Sequence, residues 1–158
     1  MKIEIKNKIN GKIILCGEYE SVADCINKNS SADLSYADLS YADLSSADLS
    51  SADLSSADLR SADLSSADLR YADLSSADLR SADLFGEKIV KIPLMIYGLK
   101  YDIFITEKHI KIGCEVHEAK EWKKFDDKRI LQMEGRAALN WWKENKKFIM
   151  CCHKKHIT

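Results

Sequence analysis

The sequence contains no run of 18 consecutive apolar residues, so no segment of it is suited to span a bilayer as a helix. The opening MKIEIKNKIN has charges at nearly every other position and cannot supply the apolar core of a secretory signal; a cytoplasmic location is expected. Cysteine is present without a pattern. Cys16, Cys25, Cys114, Cys151 and Cys152 make an odd number at irregular spacing, which points to reduced thiols rather than a disulfide framework. There is no Gly-rich phosphate loop, no carboxylate pair beside a plausible pocket, and no histidine before residue 109. These absences argue against an enzyme and give no reason to expect a cofactor or a bound metal. With 24 basic and 25 acidic side chains, the formal charge of −1 gives no global attraction to nucleic acid or membrane.

The near-neutral total conceals segregation. Residues 1–30 carry 5 basic and 4 acidic groups, residues 31–86 carry 3 and 11, and residues 87–158 carry 16 and 10. The acidic middle is also the repetitive one: Ala-Asp-Leu occurs 11 times in unbroken register, from Ala32 to Leu84. A step of five advances an α-helix by about 500°, so successive leucines would wander around every face. In a flat strand an odd step would place successive leucines on opposite sides of the sheet. The chain must therefore turn a corner once per unit. Ala and Leu, two apart, then share the inner side of a short extended segment, Asp points outward, and the pair of residues between units makes the corner. If each corner is close to a right angle, four units make a coil of 20 residues that stacks on the next at about 4.8 Å. Burying each leucine stabilises by roughly 1.5–3 kcal/mol, against about 1–2 kcal/mol to order each residue, so fewer than three coils are marginal without covered ends.

The A-D-L-S-S and A-D-L-R-S units of residues 32–86 resemble the pentapeptide repeat proteins. The resemblance implies a mainly β fold, a right-handed quadrilateral β-helix, here of about 2.75 coils. On that geometry the structural core is four columns of leucines 20 apart: Leu34, Leu54 and Leu74; Leu39, Leu59 and Leu79; Leu44, Leu64 and Leu84; Leu49 and Leu69.

Open coil ends invite edge-to-edge association, and both flanks read as caps. Residues 1–30 predict a β-hairpin with a tight turn at Asn10-Gly11, then a short helix N-capped by Ser21. Residues 87–158 predict an α+β cap. It contains an extended stretch with Pro93, a hairpin around Glu107-Lys108, a helix over about 118–124 and a longer helix capped by Asp126 or Asp127. Two adjoining stripes of that helix, Ile130, Met133, Ala137, Trp141, Phe148 and Leu131, Ala138, Trp142, Ile149, are expected to be largely buried. The flanks, with the IGC…EW…W segment, are loosely similar to small bacterial and phage members of the same family, which implies no activity.

The candidate binding residues are aspartates. Arg60 and Arg80 relieve the face bearing Asp38, Asp58 and Asp78, and Arg70 relieves that bearing Asp48 and Asp68. The other two faces, Asp33, Asp53, Asp73 and Asp43, Asp63, Asp83, have no arginine. They are weighed as a surface for an unidentified protein partner, without direct binding to nucleic acid or membrane, against a structural role in accepting hydrogen bonds at the corners. A DNA-mimicking modulator of gyrase, a type II topoisomerase, is the alternative, since some family members are understood that way. A net −8 over about 13 Å of axis gives one charge per roughly 1.6 Å, close to duplex DNA at roughly 1.7 Å, but that axis spans only about four base pairs. Cys114-x-x-His117 and CCHKKH have metal-ligand residue types, yet adjacent helical cysteines diverge by about 100°, which favours a buried cysteine and a frayed tail. The lysines from Lys143 to Lys155 read as a solvated face near a helix C-terminus.

Overall fold

The computed structural model describes all 158 residues. They form two compact units, Met1–Ile92 and Pro93–Thr158.

The first unit opens with an antiparallel hairpin of β1 (Lys2–Asn7) and β2 (Ile13–Glu18), whose Ile3 and Ile5 are buried. Its connection is wider than the tight turn expected at Asn10-Gly11. The Asn7 carboxamide oxygen accepts from the Ile9 N–H at 2.9 Å, and that of Asn10 accepts from the Lys12 N–H at 2.9 Å. These side chains hold an intermediate loop open, with Gly11 at φ +68°. Helix α1 (Val22–Lys28) follows, with the Ser21 hydroxyl accepting from the Asp24 N–H at 3.0 Å.

In the repeats the chain turns every five residues. From Ala37 to Ala82, the N–H of each alanine donates to the carbonyl of the leucine three residues before it, closing a β-turn. The third turn residue lies at φ of +57° to +64° at Tyr36, Tyr41, Ser51, Ser56, Ser61, Tyr71, Ser76 and Ser81, the left-handed value that a type II turn requires there. Most of these residues also donate outward to the next coil, as Ser56 does to the Ser75 carbonyl at 2.7 Å.

Between corners only two residues remain for ladder pairing. That is why the segment shows isolated parallel bridges and two-residue strands rather than long ones: Asp38 with Asp58, Asp43 with Asp63, Asp48 with Asp68, Asp53 with Asp73, and Asp58 with Asp78. Strands β4 (Asp63–Leu64) and β5 (Asp83–Leu84) continue the series in parallel. Every pairing joins residues 20 apart, so the chain rises one strand spacing per four units, a β-helix-type arrangement. All eleven repeat leucines are buried, with at most 3% of their surface exposed.

Both ends of this coil have cover. Strand β1 pairs antiparallel with β3 (Ala37–Asp38) in the first coil. From α1 the Asn27 carboxamide reaches another side of the same coil, accepting from the Asp48 N–H at 2.8 Å and donating to the Ser46 carbonyl at 3.3 Å. One side chain thus replaces a missing strand. At the other end β6 (Glu87–Lys88) doubles back on β5, and the Ile89 N–H donates to the Ala82 carbonyl at 2.8 Å.

The second unit is a four-stranded antiparallel sheet, β7 (Leu94–Ile96), β8 (Ile103–Ile105), β9 (His109–Ile112) and β10 (Glu115–Glu118), in spatial order β10-β9-β8-β7. Helices α2 (Ala119–Lys124) and α3 (Asp127–Ile157) pack their apolar residues with those of β8 and β9. Glu118 and Glu121 form a capping box on α2, and Asp126 caps α3 through the Arg129 N–H at 2.8 Å. Helix is more extensive than a mainly β description suggests, since α3 alone covers 31 residues.

Helix α3 is broken at Glu134 (φ −142°, ψ 30°) and Gly135 (φ 71°, ψ −157°). The break corrects the expectation of two largely buried stripes. Ile130, Ala138, Trp142 and Ile149 are buried, but Leu131 is 40% exposed, Phe148 49%, and Ala137 faces solvent. Across Gly135 the buried face passes from the stripe of Ile130 to that of Ala138, Trp142 and Ile149, a shift that a straight helical count does not contain. The end of α3 is helical through Ile157, which corrects the frayed tail that the sequence predicts.

Candidate functional site

The outward aspartates are fixed by the corners they precede. In ten consecutive units, from Asp33 to Asp78, the carboxylate Oδ1 accepts from the backbone N–H two residues on, at 2.8 to 3.2 Å. This is an Asx-type turn, and it gives the outward carboxylate a structural task inside its own unit. Asp83 departs from the pattern: its Oδ1 is buried without a hydrogen-bond partner, and the corner after it is Phe85-Gly86, where the other corners open with serine or arginine.

Charge divides the columns. Arg60, Arg70 and Arg80 each turn back on the aspartate two residues earlier, with Nη2 to Oδ2 distances of 2.6 Å to Asp58, 2.6 Å to Asp68 and 2.5 Å to Asp78. The guanidinium hydrogen bonds hold these three carboxyls below the usual aspartate range. On the same column as Asp68, the Ser50 hydroxyl and N–H lower Asp48. In the two columns without arginine, serine donors lower Asp33 and Asp43. There Asp33, Asp53, Asp73 and Asp43 are exposed, and Asp63 and Asp83 half-buried. The pairings 20 apart bring Asp53 beside Asp73, Asp43 beside Asp63, and Asp63 beside Asp83, so like charges stack along each column.

Family comparison bears on these repeats directly: the model of the family described as pentapeptide repeats matches in 8 copies, over residues 30–65 and 47–84. The coil is a pentapeptide-repeat segment. The match spans about a third of the chain and leaves the second unit outside it. No curated protein and no solved structure matches the chain.

The pentapeptide-repeat interior is filled by leucine, but the second unit contains a cleft that the sequence did not reveal. Tyr101, Trp122, Trp141 and Trp142 line it over a floor of Ile112, Ile130 and Ala138, and Glu115 and Glu134 lie along it. About 430 Å³ of empty space lies within, part of it open to solvent. The Tyr101 hydroxyl donates to Glu134 at 2.5 Å, and burial, then this carboxylate, raises the Tyr101 pKa. Glu115 meets His117 at 2.8 Å and Arg129 at 3.5 Å. The one sequence signal pointing here is Gly135, a lone glycine inside a helical pattern and next to Glu134.

The thiols and imidazoles singled out from the sequence do not gather. Cys114 sits in the β9–β10 turn, His117 on β10, Cys151 is exposed and Cys152 half-buried on α3. His153 is buried with Nε2 3.0 Å from the Glu107 carbonyl. No three metal-ligand side chains converge. Of the α3 lysines, Lys143 pairs with Asp127 at 2.5 Å, while Lys146 bonds the Lys123 carbonyl at 3.1 Å and lies 5.5 Å from the Trp142 ring centroid. No helix is long and apolar enough to cross a membrane.

Proposed function

We propose that the repeats form a right-handed quadrilateral β-helix of about 2.75 coils, a rigid, non-enzymatic cytoplasmic scaffold whose acidic faces engage a protein partner. The observation that carries this reading is the carboxylate geometry. In Asp33, Asp53, Asp73, Asp43 and Asp63 one oxygen is committed to a corner N–H and the other has no protein donor, so each column offers charges at fixed spacing. A rigid array is bound without the entropic cost of ordering it first.

Asparagine separates charge from structure, because at every one of these positions but Asp83, which has no corner bond, its carbonyl oxygen accepts the same corner N–H. The test replaces Asp33, Asp53, Asp73, Asp43, Asp63 and Asp83 with asparagine and compares affinity capture from a bacterial lysate over a salt series. Partners held by the wild type at low salt are lost with the variant if the acidic faces recognise them. Capture that survives with the same salt dependence refutes the reading.

A second reading, a DNA-mimicking modulator of gyrase, draws on the net charge density, about one per 1.6 Å with the three arginines already counted. Micromolar protein that leaves supercoiling by gyrase unchanged rules it out.

A further inference from the structure

We propose that the cleft of the second unit is a binding site for a small organic cation of the alkylammonium class. All three tryptophans of the chain, Trp122, Trp141 and Trp142, line this one cleft together with Tyr101. They form two ring contacts: Tyr101 meets Trp141 edge-on at 4.9 Å between centroids, and Trp122 meets Trp142 at 5.1 Å. Trp122 and Trp142 are buried, so the rings open to a guest are those of Tyr101 and Trp141, both half-buried, and aromatic faces carry negative quadrupole charge that attracts cations. Lys100, which does not line the cleft, already places Nζ 4.9 Å from the Tyr101 ring centroid, so this ring holds a cation elsewhere on its surface.

The carboxylates decide the sign of the ligand. Glu115 has His117 and Arg129 beside it. Glu134 accepts from the Tyr101 hydroxyl, near which Lys100 also lies, and belongs to no ion pair. Glu134 is exposed at the rim, so a neutral guest gains nothing from its charge, whereas a cation held between it and the rings does. An alkylammonium head fits both requirements, since its methyl groups pack on the rings and its charge lies against Glu134. The backbone break at Gly135 places Glu134 outside the regular helix, where its carboxylate reaches Tyr101.

The test is a titration of the full chain with choline and, separately, with 3,3-dimethylbutan-1-ol, its uncharged isostere. Tryptophan fluorescence reads it, since every tryptophan lines the cleft. Choline is expected to bind at least tenfold more tightly than the alcohol. Glu134→Gln keeps an acceptor for Tyr101, and it is expected to weaken choline at least fivefold while leaving the alcohol unchanged. Equal affinities for the two compounds, no saturable response to choline, or a choline affinity unchanged in the variant each overturn the proposal.

Discussion

Asp58 has only 7% of its surface exposed, and its carboxylate is satisfied from two directions: the Arg60 N–H at 3.1 Å, and the Arg60 guanidinium at 2.6 to 3.0 Å. Truncating it leaves a corner N–H unsatisfied and the Arg60 guanidinium with only the more distant Asp78, at 3.9 Å. Asp58→Ala is expected to lower unfolding free energy by about 1–3 kcal/mol in urea titrations, and Asp58→Asn by less, because the corner acceptor is retained. The same bonds give the repeats a pH dependence. The carboxyls of Asp33, Asp43, Asp48, Asp58, Asp68 and Asp78 are held below their ordinary values in the folded chain. The stability they contribute is therefore complete above the unfolded value of about 3.9 and is lost as pH falls through the lower folded values. Urea midpoints should stay level from pH 7 to about 5 and drop below about 4. A midpoint that rises on acidification to pH 3 would mean that repulsion between stacked carboxylates outweighs their hydrogen bonds.

The capping elements rest on few interactions, and each can be removed singly. Asn27 supplies both bonds that α1 makes to the 46–48 edge of the first coil, so Asn27→Ala is expected to cost about 1 kcal/mol of stability by urea denaturation and to speed hydrogen exchange at the Asp48 amide. In α3, Gly135 holds φ 71°, ψ −157°, a conformation essentially confined to glycine, while no heavy atom lies within 4 Å of where a Cβ would stand. Gly135→Ala therefore carries a backbone penalty alone, about 1–3 kcal/mol, visible as a lower thermal midpoint of the second unit. Both residues also mark where sequence reading stops. A strict five-residue step is legible because eleven copies impose one solution, and Ser21 and Asp126 are legible caps because their chemistry acts within a turn. Asn27 acts on residues about 20 positions away, which no local pattern encodes. Gly135 shifts the face of every helical residue after it, so a count that runs straight through it puts Phe148 in the core and gives no sign of the cleft beside Trp141.

Across the whole molecule the acidic and the aromatic features belong to different units. The carboxylate columns lie in Met1–Ile92 and the tryptophan cleft in Pro93–Thr158. Residue types showed the columns because their spacing is the repeat itself; the cleft depends on Tyr101, Glu134 and Trp141 meeting across a sheet and a broken helix. The account as a whole depends on the chain returning to the same side after 20 residues. Paired cysteines measure that return: Ser56→Cys with Ser76→Cys, on one corner column, against Ser56→Cys with Ser66→Cys, ten residues apart, both with the exposed Cys16 and Cys151 replaced by serine. At a coil spacing of about 4.8 Å the first pair lies within disulfide reach and should oxidise intramolecularly without loss of fold, while the second should remain reduced. Crosslinking of the ten-residue pair, or failure of the twenty-residue pair under the same oxidant, would contradict the coil.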